Sequence, residues 1–328
     1  MNKRIERISI QEIRGFRLGT AESTEGATGV TAILCEDGAT AGVDVRGGAP
    51  ATRETDLLKP ENMVQKIHAV CLSGGSAFGL EAGCGVMDYL AEHKIGFDTG
   101  YGIVPIVCGA SLFDIHLGEQ GVYPDKAMGR LAAENAFAGH FQTGNHGAGT
   151  GASVGKYKGP ATSMKTGQGQ YALQIGDLQV GAISAVNALG DIIGADDSLL
   201  AGMTTEGGQA LCSTAETMLT DLAGIGGGFK GNTTITCIIT NCKLTKAQCT
   251  KLASIAHDGY ARAIKPVHTS ADGDTVFVMT TGEQDLNFDT AAGLATECVT
   301  EAIRDAARTA VPAYGLPAAC TYSENLGM

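Results

Sequence analysis

The stretch GGGFKGNTTITCIITN, Gly226 to Asn241, changes character halfway along. From Thr233 to Thr240 it is dense in β-branched residues, which suit a packed, pleated surface, and this predicts a buried strand. Before that, glycines at 226, 227, 228 and 231 predict a flexible, exposed connector with no packing of its own. The pair Asn232-Thr233 therefore sits where a loose segment enters a rigid one. At such a junction the Thr233 hydroxyl can add to the Asn232 carbonyl. Cleavage there would leave Thr233 as a new N-terminus, with its own amine as base to its hydroxyl. The plain alternative is a strand behind a hairpin loop.

The chain has 328 residues, and no low-complexity linker or internal repeat divides it, so one domain, 1–328, is expected. Forty-seven glycines and 44% hydrophobic residues describe a globular chain rich in tight turns. A net charge of −12 argues against nucleic acid or an anionic membrane as the main partner. The N-terminal MNKRIERISIQEI has no apolar core of signal-peptide length, and no apolar run is long enough to span a membrane. Ten cysteines form no CxxC pair and are read as buried, reduced thiols, so a cytoplasmic protein is expected. Seven histidines form no HExxH and no ligand cluster, so neither a metal nor another cofactor is expected.

Outward from the opening stretch, Thr28–Glu36 and Ala39–Arg46 read as two strands joined by a turn at Asp37-Gly38. A strand at Lys66–Leu72 passes through SGGS into a helix over Ala77–His93. Its small residues Ala82, Gly83 and Gly85 predict close packing on a sheet, and its Gly-Gly start is a place for an anion. A second helix is predicted over Lys126–Ala138. Gly144–Gly159 is too glycine-rich for a regular element. It holds two motif look-alikes: Gly147, Gly149 and Ala152 against the dinucleotide fingerprint, and Gly151 to Gly155 against the G-x-S-x-G elbow. Neither has the flanking strand that its motif requires. Lys156 is the more useful residue, a cation on a loop whose amides can point at a ligand.

Ser163–Ile175 and Leu178–Val186 form a predicted hairpin closed by Asn187, which is either a turn former or a donor to a reacting oxygen. Thr205–Leu222 reads as polar loop and linker. Thr245-Lys246-Ala247-Gln248 is a capping box opening a helix to Ala263. A turn, Pro266–Asp274, precedes a strand, Thr275–Thr280, and a last helix over Asp289–Thr309. Asp272 and Asp274 are either a turn pair or two carboxylates that orient the Thr233 amine while raising its pKa. His268, four residues earlier, is placed to shape the same pocket.

Four blocks resemble the self-processing aminopeptidases of the DmpA type, which include L-aminopeptidase/D-esterases, β-peptidyl aminopeptidases and nylon-oligomer hydrolases. They are Thr28–Leu90, VNALGDIIGADDSLLAG (Val186–Gly202), NTTITCIIT (Asn232–Thr240) and ARAIKPVHTSADGDTVF (Ala261–Phe277). The resemblance implies an α/β fold, the four-layer αββα sandwich shared with ornithine acetyltransferases. It implies self-cleavage into 1–232 and 233–328, with Thr233 as nucleophile. It gives Asn187 the oxyanion and Lys156, or nearby Lys158, a supporting role, and it sets Asp272 and Asp274 where the nylon hydrolases carry two aspartates. A tyrosine of the relatives has no match, because Ser111-Leu112-Phe113 fills that neighbourhood. A small amide, peptide or ω-amino-acid oligomer is the implied substrate, and a tetramer or larger homo-oligomer the implied assembly. Acyl transfer to an amine, as in ornithine acetyltransferases, and a non-catalytic paralogue are the alternatives.

Overall fold

A computed structural model describes residues 4–221 and 231–322. Of the connector expected to be flexible and exposed, 226–230 lies outside them, and Gly231, which lies within them, is buried against the Phe113 ring instead of exposed. Ten strands are joined by hydrogen bonds, nine of them in one path and β2 beside it: β1 (Ile5–Ile8), β2 (Arg17–Ser23), β3 (Thr28–Val45), β4 (Thr52–Arg53), β5 (Ile67–Ser73), β6 (Val107–Ser111), β7 (Gln168–Ile175), β8 (Leu178–Asn187), β9 (Thr233–Cys242) and β10 (Thr275–Gln284). The order is β1-β7-β8-β9-β10-β3-β5-β6-β4, with β2 also on β3. The predicted hairpin at Asp37-Gly38 is not there, because β3 runs straight through it. Gly38, at φ +73°, serves instead at a register shift against β5 between Leu34 and Ala39. Before the shift β3 pairs with β2 and β5, and after it Thr40–Val45 pairs with β10. One long strand therefore belongs to two stacked sheets.

Strict alternation along these strands fills three cores. On β9, Ile235, Cys237 and Ile239 enter the layer between the sheets, where Ile33, Val70 and Leu72 meet them. Ile238 faces the opposite way, onto α4 (Lys246–Ala263) and α5 (Phe288–Arg308), which supply Leu252, Tyr260 and Val299. Val30, Ala32 and Leu34 of β3 face α1 (Ala82–Glu92) and α2 (Lys126–Ala138). The layers are thus helix, sheet, sheet, helix, as the resemblance implied.

Several sequence expectations need correction. The first helix begins as a 3₁₀ turn at Ser76–Glu81, and its small residues serve the contact with α2 as well as the expected one with the sheet, where Gly83 lies against Arg53 of β4 and Ala82 shares a core with Val30 and Leu34. An ideal Cβ on Gly85 would fall 1.8 Å from the Lys126 carbonyl oxygen, and one on Gly129 1.9 Å from that of Ala82. Within the expected linker, Thr214–Thr220 forms the helix α3, N-capped by Ser213. The ten cysteines are free, seven of them buried. No helix among the described residues is long and apolar enough to cross a membrane.

Candidate active site

The site forms where β8 ends and β9 begins. Asn187, the last residue of β8, pairs in register with Thr233, the first of β9. Asn232 makes a parallel bridge with Asp272, so the chain arrives at the strand already pinned to the 268–274 turn. Thr233 is 3% exposed, and its hydroxyl hydrogen-bonds the Asn232 carbonyl oxygen. The same oxygen accepts the Gly273 N–H at 2.9 Å. An ideal Cβ on Gly273 would stand 2.7 Å from Thr233 Oγ1, so a side chain there would displace the hydroxyl.

Lys156 is fully buried, its loop anchored by Gly155 N–H to Gly190 O and by Lys156 N–H to Leu189 O, both at 3.1 Å. Its Nζ donates to Asn187 Oδ1 at 2.7 Å, Asn187 O at 2.9 Å and Gly231 O at 3.4 Å. Lys158 points elsewhere, to an ion pair with Asp221 at the surface. Asn187 Oδ1 also accepts the Ser153 N–H at 3.1 Å, so its nitrogen is the donor end. One Nδ2 proton goes to the Phe113 carbonyl at 2.8 Å, which leaves the other for a ligand. Ser153, the serine of the elbow look-alike, is buried and reaches the site only through its backbone.

Asp274 accepts from Thr234 N–H at 2.7 Å and from His268 Nδ1 at 2.8 Å. A carboxylate can only accept, so Nδ1 carries the proton, on a ring packed against both His257 and Tyr260. Asp272 is held by the Thr269 N–H at 2.8 Å and hydroxyl at 2.6 Å. Burial, and next the Asp274 charge, push Asp272 up to about 6, while the Thr269 bonds and Lys156 oppose this. Burial pulls Lys156 down to about 7 against the attraction of Asp272, Asp114 and Asp274. Among the described residues no three His, Cys, Asp or Glu side chains are grouped to hold a metal.

Thr233, Asn187, Lys156, Asp272 and Asp274, five residues from four separate parts of the chain, thus meet in one buried cluster. Asp114 is a neighbour that sequence reading missed. Its carboxylate fills the Gly-Gly junction expected to hold an anion, taking Gly75 N–H at 2.7 Å and the Thr28 hydroxyl at 2.8 Å. Burial raises it to about 6. The available signal was the junction itself, with an aspartate just past the next parallel strand. Gly273 was missed too, though a glycine between two aspartates marks a close approach.

Residues 9–318 match the family model described as peptidase family S58. An uncharacterized aminopeptidase of Mycobacterium leprae is 38% identical over 292 residues, which cover 84% of this chain and 78% of the relative. The 6-aminohexanoate-oligomer endohydrolase of Paenarthrobacter ureafaciens is 36% identical over 276 residues, covering 83% of this chain and 74% of the relative. A solved β-aminopeptidase of Burkholderia sp. superposes with a TM-score of 0.71 at 19% identity, covering 98% of this chain and 94% of that one. The L-aminopeptidase D-Ala-esterase/amidase of Ochrobactrum anthropi, a variant of the Ntn hydrolase fold, superposes at 0.68 and 19% identity, covering 92% and 86%. At such identities the solved structures speak for the fold alone.

Proposed function

The chain belongs to peptidase family S58, and from that premise we propose that it is a self-processing amide hydrolase whose nucleophile is Thr233. One observation carries this reading: the Asn232 carbonyl lies between the Thr233 hydroxyl and the Gly273 N–H. In the precursor Oγ1 attacks the Asn232 carbonyl carbon, and the Gly273 N–H takes up the developing negative charge. The C–N bond breaks and the hydroxyl proton passes to the departing Thr233 nitrogen. The product is an ester on Oγ1 and a free α-amine, and water hydrolyses the ester to give 1–232 and 233–328.

In the cleaved enzyme that amine takes the hydroxyl proton as Oγ1 attacks a substrate amide. The leaving amine receives the proton, and water resolves the acyl-enzyme. The Gly273 N–H and the second Nδ2 proton of Asn187 are the oxyanion donors, each such contact typically worth about 3–4 kcal/mol of barrier. Lys156 holds Asn187 in position, and Asp274 and Asp272 orient the amine. An α-amine titrates near 8, well below lysine, so an appreciable fraction is free base at neutral pH.

The aspartate pair and the similarity to a 6-aminohexanoate-oligomer endohydrolase support small peptides or ω-amino-acid oligomers as substrates. Ten free thiols support a reducing, cytoplasmic setting, and exposed Met63, Phe97 and Tyr101 support assembly into a tetramer or larger homo-oligomer. Incubation of the cleaved protein with linear 6-aminohexanoate trimer and with α-amino-acid amides should release new amines, fastest from the trimer. A cleaved protein inert on both would overturn the hydrolase reading. Acyl transfer to an added amine that outruns hydrolysis would make it an acyltransferase.

A further inference from the structure

The residue before the scissile pair is a glycine, and the structure gives a reason independent of flexibility. An ideal Cβ on Gly231 would fall 2.2 Å from Phe113 Cδ1, 2.4 Å from Cγ and 2.6 Å from Cε1. Carbon atoms in contact stand about 3.5–4 Å apart, so the ring and an L side chain cannot both occupy this space. Neither backbone is placed to retreat. The Phe113 carbonyl is held by Asn187 Nδ2 at 2.8 Å, and the Gly231 carbonyl by Lys156 Nζ at 3.4 Å. Those two holders are joined to each other at 2.7 Å. The ring itself lies parallel to His116, 13° between planes with centroids 6.4 Å apart.

We propose that Phe113 is a specificity-determining residue: its ring admits only an unbranched unit, a glycine or a run of methylenes, one residue upstream of the reacting carbonyl. The inference rests on Asn232–Thr233 being the bond that is cut. It extends to substrates because any acyl group must present its carbonyl to the same hydroxyl and the same Gly273 N–H. Its upstream chain is then directed along the path that Gly231 takes. The substrate class this selects on the acyl side is amides of glycyl or ω-amino acyl chains, against amides with an L-branched residue at that position.

The test is a time course of self-cleavage by intact mass after cell-free synthesis of the full chain. Gly231→Ala should cut at least tenfold more slowly than the unmodified chain. Phe113→Ala combined with Gly231→Ala should recover most of that loss, and Phe113→Leu, which keeps an apolar filler, guards against a pair that fails to fold. On the mature enzyme, acetyl-Gly-Asn anilide should be preferred over acetyl-Ala-Asn anilide at least tenfold, and Phe113→Leu should narrow that ratio. If Gly231→Ala cuts as fast as the unmodified chain, or neither double variant improves on it, the role of Phe113 is refuted while the nucleophile stands. If the unmodified chain is never cut before Thr233, both readings fall.

Discussion

Thr233→Ala is expected to yield a full-length chain that neither cuts itself nor hydrolyses an amide. The substitution removes one oxygen and one methyl group from the first residue of β9 and leaves the strand register with Asn187 untouched. The hydroxyl's hydrogen bond goes to the carbonyl of its own neighbour, Asn232, so no distant contact depends on it. Stability should therefore change by no more than about 1–2 kcal/mol, the scale of one hydrogen bond and a buried methyl group. Chemistry should be lost completely, because without Oγ1 there is neither an ester to form nor a route to the free amine. Thr233→Ser restores the hydroxyl and should recover self-cleavage. Intact mass over several days and an amine-release assay check both variants. A Thr233→Ala chain that still cuts at 232–233 would transfer the role to another group.

Lys156→Met should slow self-cleavage by about 10²-fold, because Asn187, which the ammonium holds, loses its place as an oxyanion donor, and removal of one such donor costs on the order of 10²–10³-fold. The ammonium gathers Asn187 Oδ1, Asn187 O and Gly231 O around one nitrogen, and methionine fills the volume without holding any of them. It also removes the cation that restrains Asp272, whose carboxyl should then rise further above about 6. A pH signature accompanies the loss. Lys156 is brought down to about 7 from the ordinary 10.5, so between those values the unfolded chain carries a proton that the folded chain has released. Stability gains from this group as pH rises across that window. Lys165, equally buried and also brought down to about 7, acts in the same direction. Above pH 9 the buried thiols of Cys71 and Cys108, pushed up to about 12, begin to oppose it. Measured in the uncleaved Thr233→Ala background, the gain in Tm between pH 7 and 9 should be smaller when Lys156 is methionine. Normal processing together with an unchanged gain would remove Lys156 from the site.

What was legible in the chain was whatever depends on local pattern. The β-branched run at Thr233–Thr240 could be read as buried strand because both of its faces are covered, one by the second sheet and one by α4 and α5. Helix α2 was read to the residue, with Asp125 at its N-cap and Gly139 in a left-handed C-cap. What failed depends on partners far along the chain. Asp37-Gly38 has the composition of a hairpin turn, and only the two sheets on either side of β3 show why the strand continues through it. Lys156 and Lys158 differ by two residues in sequence, yet one is sealed against Asn187 and the other faces Asp221 at the surface. Asp114 carries no motif, since its role is set by Gly75 and Thr28, which lie 39 and 86 residues away.

The central claim is tested most directly by the intact mass of the freshly purified chain, with N-terminal sequencing of every fragment. Two pieces are expected, the smaller beginning Thr-Thr-Ile-Thr at Thr233. A single chain that stays uncut over days, or a cut at any other bond, would contradict it.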